Sequence, residues 1–237
     1  MIGSDIETAP LPLDVLERLH SIPTLEEFVA NCNKTWKPDT KEKKYKEMAA
    51  TSWQNFRDKA ALSPMTGRVC CIGFYASDTK KFAILGRDQS EEAILELFWS
   101  HFAKFRHDKR IVSGHNFKGF DLPFLVKRSW ILDVSVPDWV IHKGRFIADI
   151  CFDTMEAWGL GSKAPTFIKI GKLAQIMDCD ATKPFLDHLP PAGEEEVVGA
   201  NFHTFWDGSL LQRQKASLYL KNDCKLVTDI ATRMGVV

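Results

Sequence analysis

Residues 113–125 of the chain read SGHNFKGFDLPFL. The apolar residues that lead into this stretch predict a short buried strand that ends at Gly114. A polar turn then reaches Asp121 and Pro123, two residue types that are favoured where a helix begins. Polar side chains that follow a buried strand are common in the ligand sites of α/β proteins. Two interpretations are therefore open: Asp121 is an ordinary helix cap, or it belongs to a ligand site.

The segments on either side of this stretch alternate between strand and helix patterns. Residues 69–76, VCCIGFYA, are nearly all apolar and predict a central strand, and residues 81–85 predict its hairpin partner. Ser90 is expected to cap an amphipathic helix, and residues 210–234 predict a long final helix. Residues 178–202 are rich in Pro, Gly and acidic residues, which predicts an extended loop. This order predicts a three-layer α/β fold with a mixed sheet.

The size and composition of the chain fit one large domain. It has 237 residues, of which 45% are hydrophobic, and its sixteen Phe residues add material for a substantial core. We expect a single domain over residues 1–237, with a helical insertion at about residues 10–62 between the first two strands. Within that insertion, residues 41–61 predict a helix that carries Glu–Lys pairs four residues apart.

The net charge and the cysteine content limit which binding partners and which cellular location we expect for the protein. The 31 basic and 31 acidic residues give a formal charge of zero, so any polyanion must be bound by a local patch. No apolar run approaches the roughly 18–20 residues of a membrane span, and the first residues lack a signal-peptide pattern. The six cysteines show no C-x-x-C spacing. We therefore expect reduced thiols in a cytoplasmic protein that does not contact membranes.

A second chemical signal lies in the final helix. Tyr219 and Asp223 are four residues apart and share one helical face, which Val227 continues toward the core. A carboxylate on the buried face of a helix is costly unless something neutralises it. Either Asp223 pairs with a lysine such as Lys225, or it belongs to a site.

The third signal is at the start of the chain. Asp5 and Glu7 would point to the same side of a strand, about 7 Å apart along the backbone. The alternative is an exposed edge on a frayed terminus. Since only Met1 to Ser4 precede Asp5, we expect a strand with few ladder hydrogen bonds to hold this pair.

The three signals are stronger together than apart. Four carboxylates from three distant segments would repel one another if they met on one face without divalent cations. They are Asp5, Glu7, Asp121 and Asp223. Oxygen-only ligands suit Mg²⁺ or Mn²⁺ rather than zinc.

These segments also resemble the three motifs of the DEDD 3′–5′ exonucleases. The stretches are DIE at residues 5–7, HNFKGFDLPFL at residues 115–125 and YLKND at residues 219–223. Tyr219 lies four residues before Asp223, as in the tyrosine branch of that family. The chain is most similar to the exonuclease domain of family-B DNA polymerases and to its stand-alone phage and bacterial relatives.

The resemblance implies a ribonuclease-H-like fold, with a five-stranded mixed sheet flanked by helices. It implies an enzyme that removes nucleoside 5′-monophosphates from a 3′ end by a two-metal-ion mechanism, with Mg²⁺ or Mn²⁺ as the two ions. The expected substrate is single-stranded or 3′-frayed DNA, with RNA as the second candidate. The implied catalytic residues are the four metal-binding carboxylates, Asp5, Glu7, Asp121 and Asp223, together with Tyr219.

The resemblance also implies residues that contact the substrate. Asn116 would hold the turn or touch the terminal nucleotide. Phe117, Phe120 and Lys118 are the nearest candidates for stacking and for a basic groove. For the two Phe residues, a place in the core is an equally good interpretation.

Basic and acidic residues beyond these motifs carry weaker expectations. Lys127 and Arg128 would extend the basic groove or would lie on a solvated helix face. Asp149 and Asp153 follow a strand pattern, match no motif and are expected at most to support the site from outside it.

Two other function classes stay open from the sequence. One is a catalytically weak or inactive nucleic-acid-binding module of the same fold. The other is a metal-dependent phosphohydrolase that acts on nucleotides rather than on polymers, which would need a closed pocket. P-loop and dinucleotide-binding fingerprints are absent, which removes the commoner α/β alternatives.

Overall fold

The computed structural model describes residues 1–86, 88–147, 149–160, 167–179 and 197–236. These ranges contain five strands: β1 (Ile2–Pro10), β2 (Gly67–Ala76), β3 (Lys81–Leu85), β4 (Val112–Gly114) and β5 (Cys151–Asp153). The same ranges contain ten α-helices: α1 (Leu13–Leu19), α2 (Leu25–Asn31), α3 (Pro38–Ala60), α4 (Glu91–His107), α5 (Asp121–Ile131), α6 (Asp138–Lys143), α7 (Thr154–Gly159), α8 (Ile170–Ile176), α9 (Phe202–Trp206) and α10 (Leu210–Arg233).

The strands form one mixed sheet in the order β3-β2-β1-β4-β5. β2 and β3 pair antiparallel as the predicted hairpin, whereas β4 pairs parallel to both β1 and β5. The predicted five-stranded mixed sheet flanked by helices is therefore confirmed for the described residues. β2 is almost entirely buried, which explains why its sequence is a continuous apolar run rather than an alternating one.

The alternation of side chains along β1 defines two layers of packing around the sheet. Ile2 and Ile6 point into a core that contains Phe98 and Phe102 of α4. Gly3 lies on the opposite face of β1, against the backbone of α10. The sheet is therefore covered by α4 on one face and by α10 on the other.

The start of the chain is not an exposed, frayed terminus, which was the alternative interpretation of the acidic pair. β1 has nine residues, most of them buried, and it lies in the middle of the sheet with neighbours on both sides. The Ile2 N–H donates to the Ile111 carbonyl at 2.8 Å, which anchors the start of the strand. The β4 ladder covers Ile2 and Gly3 only, so the burial of the strand and the bond from the Ile6 N–H to Asp121 hold the acidic pair beyond it.

The chain divides into two compact units, of which the larger contains residues 1–8 and 69–237. The smaller unit, Ala9–Arg68, contains α1, α2 and α3. Within it, Thr24 forms a capping box at the start of α2, and the Phe28 and Tyr45 rings lie 5.6 Å apart. The helix predicted over residues 41–61 is the central and C-terminal part of α3.

Capping residues mark the two long helices of the larger unit. Ser90 accepts a hydrogen bond from the Ala93 N–H and begins α4, as its sequence predicts. Ser209 and Gln212 form a capping box that begins α10. The loop predicted over residues 178–202 falls mostly on residues 180–196, which lie outside the described residues. No helix of the described ranges is long and apolar enough to cross a membrane.

Candidate metal centre and active site

Three acidic side chains from two elements meet on one face of the sheet. Asp5 and Glu7 lie on β1, and Asp223 lies on α10, which packs across that face. Each residue offers one carboxylate oxygen, and the three oxygens lie within 4.8 Å of one another. Two of the three sequence signals therefore converge, although more than 200 residues separate them.

Small residues on the sheet allow α10 to come close enough for this convergence. A Cβ atom at Gly3 would lie 1.9 Å from the Cys224 carbonyl oxygen, and a Cβ atom at Gly73 would lie 2.6 Å from the Cys224 Sγ atom. On β4, the Ser113 hydroxyl donates to the Val227 carbonyl at 3.3 Å. The backbone of α10 thus rests on small residues from three adjacent strands, and this places Asp223 beside β1.

Without a cation between them, the buried carboxylates of this cluster are costly to ionise and repel one another. Burial raises the pKa of Asp5 well above its usual range, and the nearby Asp121, Glu7 and Asp223 carboxylates raise it further. Burial also raises the pKa of Glu7 well above its usual range, and Asp223 adds to the effect. Burial raises the pKa of Asp223 to about 6. Each group would ionise more readily if a cation lay between them.

Asp121 lies beside the same part of β1, near Asp5 and Glu7. It is the first residue of α5 and is buried, and its carboxylate accepts a hydrogen bond from the Ile6 N–H at 3.2 Å. The residue before it, Phe120, provides no side-chain cap to the helix. Burial raises the pKa of Asp121 to about 7. Asp121 is therefore not the N-cap of α5, a position held by Phe120, and its carboxylate bonds to the central strand.

Tyr219 lies one helical turn before Asp223, and its hydroxyl is close enough to lower the pKa of the Asp223 carboxylate. Burial, followed by the charges of Asp223 and Glu7, raises the pKa of Tyr219 above its usual range. The hydroxyl therefore stays protonated at neutral pH and acts as a donor. Lys225 does not neutralise Asp223, because it pairs with Asp229 at 2.5 Å.

The aromatic candidates for substrate contact lie mainly in the interior. Phe117 is fully buried in the main core, where its ring centroid is 6.4 Å from that of Phe102. The core interpretation therefore applies to Phe117, because a fully buried ring offers no face to a nucleotide. Phe120 is half-buried and packs against Phe124 at 5.5 Å, so part of its ring stays accessible.

Asn116 and Lys118 are tied into the turn between β4 and α5. Asn116 has a left-handed backbone conformation, with φ of 61°. A Cβ atom at Gly119 would lie only 2.3 Å from the Asn116 Oδ1 atom. The Asn116 side chain therefore folds back over its own turn. The Lys118 ammonium donates to Glu156 at 2.7 Å, and most of the Lys118 side chain is buried. Both side chains therefore hold the turn in this structure.

The two basic residues further along α5 have different surroundings. Arg128 is buried and forms a two-pronged ion pair with Glu91, with N–O distances of 2.8 and 2.6 Å. The Glu91 carboxylate also accepts the Val69 N–H at 2.8 Å. Arg128 is thus a packing residue of the larger unit, whereas Lys127 is exposed.

Asp153 has a larger role than its sequence suggests. It is buried at the end of β5 and accepts four backbone N–H groups, two from the turn after β4 and two from the first turn of α7. The only available signal was a carboxylate at a strand end followed by a helix pattern. Asp149, the other acidic residue outside the three motifs, forms an ion pair with Lys143.

The donor set fits a hard divalent cation. Three carboxylate oxygens within 4.8 Å suit Mg²⁺ or Mn²⁺, which prefer oxygen ligands. Burial, followed by the neighbouring carboxylates, raises the pKa values of Asp5 and Glu7, and such an ion would offset both effects. Asp121 is not part of this three-oxygen group, but its charge reaches Asp5 and Glu7.

The protein is an α/β protein with a mixed five-stranded sheet, and an acidic cluster between its central strand and α10 is suited to metal-dependent chemistry. Residues 59–186 match the RNase_H_2 family, described as RNase_H superfamily, which is more than half of the chain. The chain therefore belongs to the RNase H superfamily. The matched range includes Asp121 and Asp153, while Asp5, Glu7 and Asp223 lie outside it. Superfamily membership and the acidic cluster support a nuclease-type function.

Among solved structures, the chain is similar to the family B DNA polymerase from the hyperthermophilic archaeon Pyrobaculum calidifontis. The TM-score is 0.49 and the sequence identity is 17%, over 74% of this chain and 22% of the polymerase. The chain thus spans about a fifth of the length of that polymerase. No curated protein sequence matches the chain.

Proposed function

We propose that the protein is a 3′–5′ exonuclease of the tyrosine branch of the DEDD group, dependent on Mg²⁺ or Mn²⁺. The observation that carries this proposal is the meeting of Asp5, Glu7 and Asp223 within 4.8 Å, with the Tyr219 hydroxyl near enough to lower the pKa of Asp223. The products would be nucleoside 5′-monophosphates released one at a time. Water would attack the terminal phosphorus, and the bond to the 3′ oxygen of the preceding nucleotide would break.

Each side chain of the site would have a separate role in the reaction, set by its position. Asp5, Glu7 and Asp223 would hold one ion, and Asp5 together with Asp121 would hold the second. When bound, the two ions would activate water and stabilise the leaving oxygen. Tyr219 would donate its hydroxyl proton in a hydrogen bond to the scissile phosphate or to the attacking water. It is unsuited to act as a base because its pKa is raised.

Single-stranded or 3′-frayed DNA is the proposed substrate, with RNA as the second candidate. The half-buried ring of Phe120 and the exposed side chain of Lys127 are the motif-adjacent groups still accessible to a strand. A zero net charge implies that binding depends on such local contacts and on the ions. The six free cysteines are consistent with the cytoplasmic location we propose.

A binding module without activity is the second candidate. A binding role alone gives no reason to bury repelling carboxylates on the central strand. Asp5 and Glu7 have strongly raised pKa values, which is a cost that a metal-dependent reaction explains.

Digestion of a 5′-labelled single-stranded oligonucleotide with Mg²⁺ or Mn²⁺ tests the proposal. The wild-type protein should produce a ladder that shortens with time, and EDTA should stop it. Asp121→Ala and Asp223→Ala should leave the oligonucleotide intact. Asp229→Ala is the matched control, because Asp229 lies on the same helix but pairs with Lys225. An intact oligonucleotide with wild-type protein, across DNA and RNA, would favour the binding module.

A further inference from the structure

The junction between the ends of β4 and β5 is held by one buried carboxylate. Asp153 lies opposite Gly114 in the parallel register of these two strands. Its Oδ1 atom accepts the Asn116 N–H at 3.0 Å, and its Oδ2 atom accepts the Lys118 N–H at 2.9 Å. A carboxylate that accepts several backbone N–H groups fixes the backbone around it strongly.

The same carboxylate also caps α7. Its Oδ1 atom accepts the N–H groups of Met155 at 3.0 Å and Glu156 at 3.2 Å. The Lys118 ammonium bonds to Glu156 across the junction at 2.7 Å, and the Thr154 hydroxyl donates to the Gly114 carbonyl at 3.2 Å. The turn after β4 is thus fastened to the first turn of α7.

This turn leads directly to Asp121. The N–H groups of Gly119 and Phe120 donate to the Asn116 carbonyl at 3.0 and 2.8 Å, and Asp121 follows as the first residue of α5. Since α5 has no side-chain cap of its own, the turn sets the direction in which the helix begins. The bond from the Ile6 N–H to Asp121 therefore depends on the geometry of the turn.

We propose that Asp153 is a positioning residue that holds Asp121 against β1 through the backbone of residues 116–120. The inference rests on the proposed nuclease function for its catalytic consequence. It assigns Asp153 no contact with the ions or the substrate. Groups that orient metal-site residues in this way typically contribute about 10-fold to 100-fold to activity or to metal affinity.

Two substitutions separate this role from simple helix capping. Asp, Asn and Ser are comparably good N-cap residues, so Asp153→Asn and Asp153→Ser should both keep α7 capped. Asparagine keeps one acceptor oxygen and would present an NH₂ group to the Lys118 N–H. The serine hydroxyl is too short to reach the turn. The number of turn N–H groups satisfied therefore falls from two to one to none.

Activity should follow that series. We expect kcat to fall about 10-fold in Asp153→Asn and about 100-fold in Asp153→Ser, with a smaller change in KM. Ser90→Ala, which removes the cap of α4, is a control for a general loss of stability. A purely structural role predicts that Ser90→Ala and Asp153→Ser affect kcat equally, and that result would overturn the proposal.

Amide hydrogen exchange tests the same role without using activity. In Asp153→Ser, the amide of Ile6 should exchange at least about 10-fold faster than in Ser90→Ala, while the amides of Met155 and Glu156 stay protected. Unchanged exchange at Ile6 would overturn the positioning role even in an active nuclease. If the wild-type protein has no hydrolytic activity, the proposed function fails, and exchange at Ile6 still decides the role of Asp153.

Discussion

The backbone N–H of Ile6 donates a 3.2 Å hydrogen bond to the Asp121 carboxylate. The register between β1 and β4 covers only Ile2 and Gly3, because β4 ends at Gly114. Beyond that point the Asp121 carboxylate takes the place of a strand partner for β1. This hydrogen bond links the motif at residues 115–125 to the motif at residues 5–7, at a point between Asp5 and Glu7.

The metal-free protein should be most stable in mild acid. Burial raises the pKa of Asp223 to about 6 and that of Asp121 to about 7. Between about pH 4, where an unfolded carboxyl titrates, and pH 7, the folded state holds more protons than the unfolded chain. Its stability must therefore fall as pH rises through this window. Differential scanning fluorimetry in EDTA should show a lower Tm at pH 8 than at pH 5.

Mg²⁺ or Mn²⁺ should restore stability at pH 8 more than at pH 5, because protons and cations compete for the same oxygens. In Asp223→Asn the pH dependence should flatten and the effect of the cation should shrink. A wild-type Tm in EDTA that rises from pH 5 to pH 8 would contradict the buried, repelling cluster.

Tyr219→Phe should leave the fold intact and reduce kcat about 10-fold to 100-fold. The Tyr219 hydroxyl lowers the pKa of Asp223, so its loss should move the acidic limb of the pH–rate profile to higher pH. A pH–rate profile of both proteins measures this shift. Tyr45→Phe, in the smaller unit, is the control and should match wild type. An unchanged acidic limb in Tyr219→Phe would show that the hydroxyl does not act on Asp223.

Gly3→Ala should displace α10 from the sheet. The new Cβ atom would lie 1.9 Å from the Cys224 carbonyl oxygen, and forced overpacking of this kind costs about 1–3 kcal/mol. The shift would move Asp223 away from β1, so Mn²⁺ affinity should fall more than the loss of stability alone explains. Gly171→Ala is the matched control, since a Cβ atom there meets nothing within 4 Å. Isothermal titration with Mn²⁺ compares the two, and equal affinities would contradict the close approach of α10.

Arg128→Ala should destabilise the protein rather than weaken nucleic-acid binding directly. It leaves the half-buried Glu91 carboxylate without its main partner, and breaking a buried pair costs up to about 3–5 kcal/mol. Arg18→Ala, which removes an exposed pair with Asp14, should leave stability unchanged within error. Urea unfolding measures both. A stable Arg128→Ala protein with weakened oligonucleotide binding would instead place Arg128 in a substrate groove.

Local sequence patterns predicted the elements of this fold well. The apolar run of β2 and the capping serine of α4 are signals that depend on near neighbours, and both predictions are confirmed. The burial of β1 does not follow from its own residues, because it comes from the central position between β2 and β4, which are distant in sequence. The convergence of Asp5, Glu7 and Asp223 was predicted from three motifs read together and not from any one of them.

The parts of the site that the sequence did not reveal depend on tertiary contacts. Nothing in the sequence shows that Asp153 accepts backbone N–H groups from a turn more than thirty residues away. The burial of Phe117 and Arg128 also required the packing of α4 against the sheet and α5. A basic or aromatic residue next to a motif is therefore a poor guide to substrate contact until its burial is known.

Anomalous diffraction from a crystal soaked in Mn²⁺ tests the central claim most directly. We predict an anomalous peak among the carboxylates of Asp5, Glu7 and Asp223, and its loss in an isomorphous Asp223→Asn crystal. A well-ordered crystal with no anomalous density among these three side chains at saturating Mn²⁺ would contradict the account.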